Sequence, residues 1–138
     1  MHFDLVDSVI EQSADRIVTL KLVSAAEEYL QDHFATFPVL PGVMMIEAIT
    51  QAARRLLESD GPLDPPMVLG SVRALKFAGF VKPGNALRVE VGVHARHDDG
   101  SVEFNAKAFV VGMPASDQAA TGLVAVSGRV TLRPARVG

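Results

Sequence analysis

The residues of this sequence best suited to chemistry are a histidine and a carboxylate, His33 and Glu47, fourteen positions apart. Imidazole titrates near neutrality and here adjoins a proline-rigid loop, and a carboxylate in an apolar run is unusual, so each is separately a candidate working group. Each also has a plainer reading: His33 as an ordinary loop histidine, and Glu47 as a buried, hydrogen-bonded or interface carboxylate. Gln51 lies one helical turn beyond Glu47 on the same face and can hold it by a side-chain hydrogen bond, and Arg54 extends that face. The other histidines invite less. His2 is terminal, His94 falls on the charged face of a strand and His97 abuts a turn, so all three are expected to be solvated. The chain has no cysteine, which removes a thiolate nucleophile, a thiolate metal site and a disulfide framework. It also lacks a phosphate-binding glycine loop, a metal-ligand cluster and a Gly-x-Ser-x-Gly elbow. No metal and no cofactor is expected.

Two elements must position the pair. Pro38 and Pro41 hold the segment after His33 extended, and Gly42 lets the chain turn. A helix is therefore expected to start at Gly42 or Val43. No Gly or Pro interrupts residues 43–57, which at 1.5 Å rise make a rod of roughly 22 Å. The first ten positions are apolar on nearly every side, the pattern of a helix enclosed by other structure, and Glu47 is the exception. A carboxylate there must be paired, neutralised or used. Met44 and Met45 read as core or tunnel filling.

The remaining chain reads as sheet. Residues 3–11 and 16–23 suggest two strands joined by a turn at 12–15. Ser24 precedes Glu27 at capping-box spacing, which predicts a short helix over 25–31. The breaker cluster at 59–66 ends the long helix. Strands are then expected at 67–77, at 87–95 with alternating apolar and charged residues, at 101–113 after a hairpin at Asp99-Gly100, and at 121–132. A turn is expected at 81–85, a loop at 114–119, and a frayed tail from Pro134. With no internal repeat or linker, residues 1–138 form one expected domain of the α+β class.

Composition narrows the partners. A net charge of −3 with scattered Lys and Arg argues against nucleic acid. The longest apolar run is too short to span a membrane, and Met1-His2-Phe3-Asp4 lacks the basic start of a signal peptide, so a soluble, cytoplasmic protein is expected. At 49% hydrophobic residues, some apolar surface is expected to be buried between subunits of a homo-oligomer.

The stretch His33-Phe34-x-x-x-Pro38-x-x-Pro41-Gly42-Val43-x-x-x-Glu47-Ala48-x-x-Gln51 resembles, without a gap, the active-site segment of the 3-hydroxyacyl-acyl carrier protein dehydratases of fatty acid synthesis. Phe3-Asp4-Leu5-Val6-Asp7-Ser8-Val9 is similar to that family's first strand, and Arg73-x-x-Lys76-Phe77-x-x-x-Val81-x-Pro83-Gly84 to its strand and turn after the helix. The resemblance implies a hotdog fold, in which a curved antiparallel sheet wraps a long central helix, and a homodimer that can assemble further. It implies His33 and Glu47, from opposite subunits, as the catalytic pair. It also implies Gly42, Val43, Gln51 and Phe77 as substrate-binding residues, and an acyl carrier protein bearing a hydroxyacyl chain as partner.

The implied reaction removes water from a (3R)-hydroxyacyl thioester. His33 takes the C2 proton and Glu47 protonates the departing hydroxyl, while a backbone N–H of Gly42 or Val43 steadies the charge gained by the thioester carbonyl. Glutamate rather than aspartate at position 47 resembles the branch that dehydrates without isomerising. The sequence departs from the family where it reads Asp32-His33-Phe34-Ala35-Thr36 in place of Gly-His-Phe-Pro-Gly, and at Asn85 in place of an aspartate. An Asp32 carboxylate close to His33 would raise the imidazole pKa. Two other readings remain: a non-catalytic hotdog protein that binds an acyl chain or its carrier, and a hotdog acyl thioesterase using Glu47 to activate water.

Overall fold

Glycine and proline delimit the helix as expected. In the computed structural model, which describes residues 4–23, 42–59, 61–63, 65–79, 84–112 and 123–135, α1 (Gly42–Leu57) starts at Gly42 and ends before the breaker cluster. Met45, Ala48, Ile49, Ala52, Ala53 and Leu56 are buried along it. Their spacing of three and four residues puts them in one stripe, and that stripe lies on the sheet.

Six strands make the sheet: β1 (Ser8–Gln12), β2 (Arg16–Leu22), β3 (Met67–Phe77), β4 (Ala86–Arg96), β5 (Val102–Val111) and β6 (Leu123–Pro134). They lie in the order β1-β2-β4-β5-β6-β3, with every neighbouring pair antiparallel. α1 packs against β2 to β6, so the sheet curves around one helix. This is the expected hotdog arrangement. Alternation in β4 and β5 supplies the inner face: Leu87, Val89 and Val91 on one strand, and Val102, Phe104, Ala106 and Ala108 on the next, are all buried. With Ile17, Ile49 and Leu132 they form the core. Each large side chain in it contributes about 1.5–3 kcal/mol relative to its exposed state.

The structure differs from the sequence expectations in three places. β1 begins at Ser8, because Leu5 and Val6, although buried, give their N–H groups to side chains rather than to a strand. Leu5 N–H bonds Gln51 Oε1 at 2.8 Å and Val6 N–H bonds Asp4 Oδ1 at 3.1 Å. β6 continues through Pro134, which pairs with Met67, and Ala135 N–H then bonds Pro66 O at 2.8 Å. The frayed tail therefore does not begin at Pro134. Finally, the amino-terminal half of α1 is not enclosed by its own chain: Val43 is 69% exposed, and Met44, Ile46 and Glu47 are only half-buried. The short helix at 25–31, the loop at 114–119, most of the turn at 81–85 and the last three residues lie outside the described residues.

Candidate functional site on the free face of the helix

Glu47 sits in the second turn of α1, and helical geometry puts it on the side opposite the buried stripe. It faces away from the sheet, yet it is half-buried. Its carboxylate Oε1 accepts a hydrogen bond from Gln51 Nε2 at 3.2 Å, one turn along. Gln51 is anchored in turn, because its own Oε1 accepts the Leu5 N–H, 46 positions away in sequence. The amide thus joins the amino-terminal segment to the carboxylate and restricts its rotamer. The i, i+4 part of this relay was legible in the sequence, whereas the bond to Leu5 had no local signal. Arg54 extends the polar face but turns back to the protein, its Nε donating to Met67 O at 3.2 Å and tying α1 to β3. Thr50 is buried and donates its hydroxyl to Ile46 O at 2.9 Å, which needs no partner from the sheet.

At the amino end of the helix the Phe77 ring packs on Gly42. A Cβ on Gly42 would lie 2.9 Å from Phe77 Cε1 and 3.0 Å from Cζ, so only glycine admits the ring at this approach. Phe77 is still 52% exposed, and Val43 beside it more so. The structure thus places Phe77 against Gly42 at the amino end of α1, next to Val43, and joins Glu47 to Gln51 further along the same helix. His33, with the proline loop that would aim it, lies outside the described residues.

The other described histidines stand apart. His97 is exposed at the β4–β5 turn. His94 is not merely solvated, as the sequence suggested. Its Nε2 lies 3.8 Å from Glu103 and its Nδ1 3.3 Å from Asn105 Nδ2. Glu103 is buried and lies 3.5 Å from Arg73 Nη1, and Asn105 Oδ1 accepts from Arg129 Nε at 3.2 Å. This chain of polar contacts bridges β3, β4, β5 and β6 on the solvent face of the sheet. No group of three or more His, Cys, Asp or Glu among the described residues is placed to hold a metal, and no helix among them is long and apolar enough to cross a membrane. A groove of about 460 Å³ lies on the solvent face of the sheet beside Arg16, Glu90 and Lys107, and a depression of about 290 Å³ follows Gln51, Arg54 and Glu58; Glu47 lines neither.

Fold and site together define a hotdog protein that presents a tethered carboxylate on the free face of its central helix. The chain belongs to the ApeI-like family, described as the ApeI dehydratase, whose sequence model matches residues 9–117. A 3-hydroxyacyl-[acyl-carrier-protein] dehydratase FabZ from Koribacter versatilis is 39% identical over 92 residues, covering 64% of this chain and 59% of that protein. The match therefore spans about three-fifths of that relative's length. The dehydratase heterocomplex ApeI:P from Xenorhabdus doucetiae superposes with a TM-score of 0.71 at 18% identity, covering 96% of this chain and 84% of the other. An apo-hexameric acyl-CoA thioesterase superposes with a TM-score of 0.61 at 15% identity, covering 88% and 69%. At such identities these structures establish the fold alone, and the fold accommodates both elimination and hydrolysis.

Proposed function

We propose that this protein eliminates water from (3R)-hydroxyacyl thioesters carried by an acyl carrier protein, giving trans-2-enoyl products for fatty acid or related lipid synthesis in the cytoplasm. The observation that carries the reading is Glu47, held by Gln51 on the helix face that its own sheet does not cover. Elimination needs an acid at the C3 hydroxyl and a base at C2. Glu47 is the acid and protonates the departing oxygen. His33, supplied by a second copy of the chain, takes the C2 proton; the C2–H electrons form the C2=C3 bond as the C3–O bond breaks and water leaves. The helix N-terminus at Gly42 and Val43 offers N–H groups to the thioester oxygen as it gains charge.

The shared site requires a homodimer. Its support is the apolar surface left by one chain: Val43 and Phe77 at the amino end of α1, and Leu69 near the other end of the edge strand β3, are all exposed. The identity with the Koribacter versatilis dehydratase favours elimination over hydrolysis. Incubation with a (3R)-3-hydroxyacyl-acyl carrier protein tests the assignment. Enoyl thioester is the expected product. Free carrier thiol would instead make the protein a thioesterase, and acyl-carrier binding without turnover would make it a binding protein.

A further inference from the structure

The backbone of β3 carries an anomaly that the reaction as proposed does not explain. Ala74 has a φ of 53°, the only positive value at a non-glycine position among the described residues. This is the left-handed region, which disfavours every L side chain. The ladder with β6 shows what the conformation achieves. Arg73 pairs with Arg129 and Lys76 with Ser127, so two residues of β3, Ala74 and Leu75, stand opposite the single residue Gly128. That is a β-bulge. Gly128 makes room for it: a Cβ there would lie 3.2 Å from Leu75 Cα and 3.3 Å from Arg73 O.

A bulge of one residue reverses the facing of everything beyond it. Val72 packs against the core opposite buried Val130. Strict alternation from Val72 would send residues 74 and 76 towards the helix and Phe77 to solvent. With the bulge, Leu75 packs against the core, Lys76 is exposed, and Phe77 pairs with buried Val126 and lays its ring on Gly42. The strain at Ala74 is thus coupled to the placement of one aromatic ring at the amino end of α1, five residues and about 7.5 Å along the axis from Glu47.

We propose that Ala74 and Gly128 are positioning residues whose bulge turns Phe77 onto the helix, making that ring the boundary that an acyl group meets at the Glu47 site. The boundary role rests on the acyl-thioester reading above, whereas the register device does not. The chain has no tryptophan, so Phe77→Trp places a lone fluorophore at the ring. Acrylamide quenching is then measured in Phe77→Trp alone and combined with Gly128→Ala or with Ala74→Val. The second variant changes an exposed side chain and so keeps the test open if Gly128→Ala fails to fold. Loss of the bulge turns the ring to solvent, and quenching rises at least about twofold, because one chain alone leaves the native ring 52% exposed and a partner subunit covers it further. Unchanged quenching in the folded variants would overturn the register device.

Binding of unreactive acyl-pantetheine thioethers of increasing chain length, read by calorimetry, tests the boundary. Phe77→Ala and Gly128→Ala, or Ala74→Val in its place, should displace the length preference in the same direction, with preferred and rejected lengths exchanging by about tenfold in affinity, and combining the two changes should add nothing further. A length preference unaltered by Phe77→Ala would overturn the boundary role. Enoyl formation is measured separately, so its absence would defeat the dehydratase reading while leaving both measurements decisive.

Discussion

Gln51→Leu removes the amide that joins Leu5 to Glu47 while keeping a side chain of similar size, and the hydrogen bonds it breaks to these two residues have separable consequences. Leu5 is 1% exposed, so its N–H, now bonded at 2.8 Å, would be left in the interior without that acceptor, at a cost of about 1–3 kcal/mol. Glu47 loses the donor at 3.2 Å, worth about 1 kcal/mol at a half-buried carboxylate. Together the losses come to roughly 2–4 kcal/mol, or a fall in Tm of about 6–15 °C for a chain of this size. The chemical effect is distinct: a carboxylate no longer fixed towards the substrate should lower kcat by about tenfold to a hundredfold. Gln51→Glu separates the two. Its carboxylate still accepts from Leu5, so most of the stability returns, but it has no N–H to offer Glu47 and turnover stays low. The assay is thermal unfolding alongside the initial rate of enoyl formation for both variants. Wild-type kcat in Gln51→Leu, or equal stability losses in the two variants, would refute the relay.

Other expectations concern the frame around the site. Ala74→Gly relieves the left-handed conformation and should raise stability by about 0.5–1 kcal/mol, read as the midpoint of urea unfolding; a lower midpoint would contradict the strain argument. At the β4–β5 turn, the Ser101 hydroxyl and then its N–H bond the Asp99 carboxylate, at 2.6 and 2.9 Å, and hold its pKa below the ordinary 3.8. Because the folded pKa is the depressed one, this contribution to stability is complete above the unfolded pKa and is lost as pH falls through the folded value. Asp99→Asn should therefore be less stable than wild type at neutral pH, with the gap closing below about pH 3.8; a gap independent of pH would assign the effect to packing.

How much could be read in advance depended on whether the determinant was local. α1 starts and stops where Gly42 and the cluster after Leu57 dictate, and β3 runs from Met67 to Phe77 as its composition predicted. Local rules failed where a distant partner decided. Leu5 and Val6 look like strand residues, but side-chain acceptors take their N–H groups and the ladder starts at Ser8. The β3 bulge has no glycine at its left-handed position, and its permissive glycine, Gly128, stands on another strand, so nothing near Ala74 announces it. His94 looked solvated because Glu103 and Asn105 become its neighbours only through the β4–β5 ladder. The apolar circumference of α1 predicted a helix enclosed on nearly every side, but one chain buries only one stripe of it, because the sheet meets a single face.

The central claim is a composite site made by two copies of the chain, and subunit complementation tests it most directly. His33→Ala and Glu47→Gln are each expected to fold and to form no enoyl product. When the two variants are mixed and allowed to exchange subunits, half of the dimers pair one of each, and each mixed dimer contains one intact His33 and one intact Glu47 facing each other across the interface. Recovery to about a quarter of wild-type enoyl formation is the predicted result. No recovery despite demonstrated exchange, or turnover by either variant alone, would contradict the account.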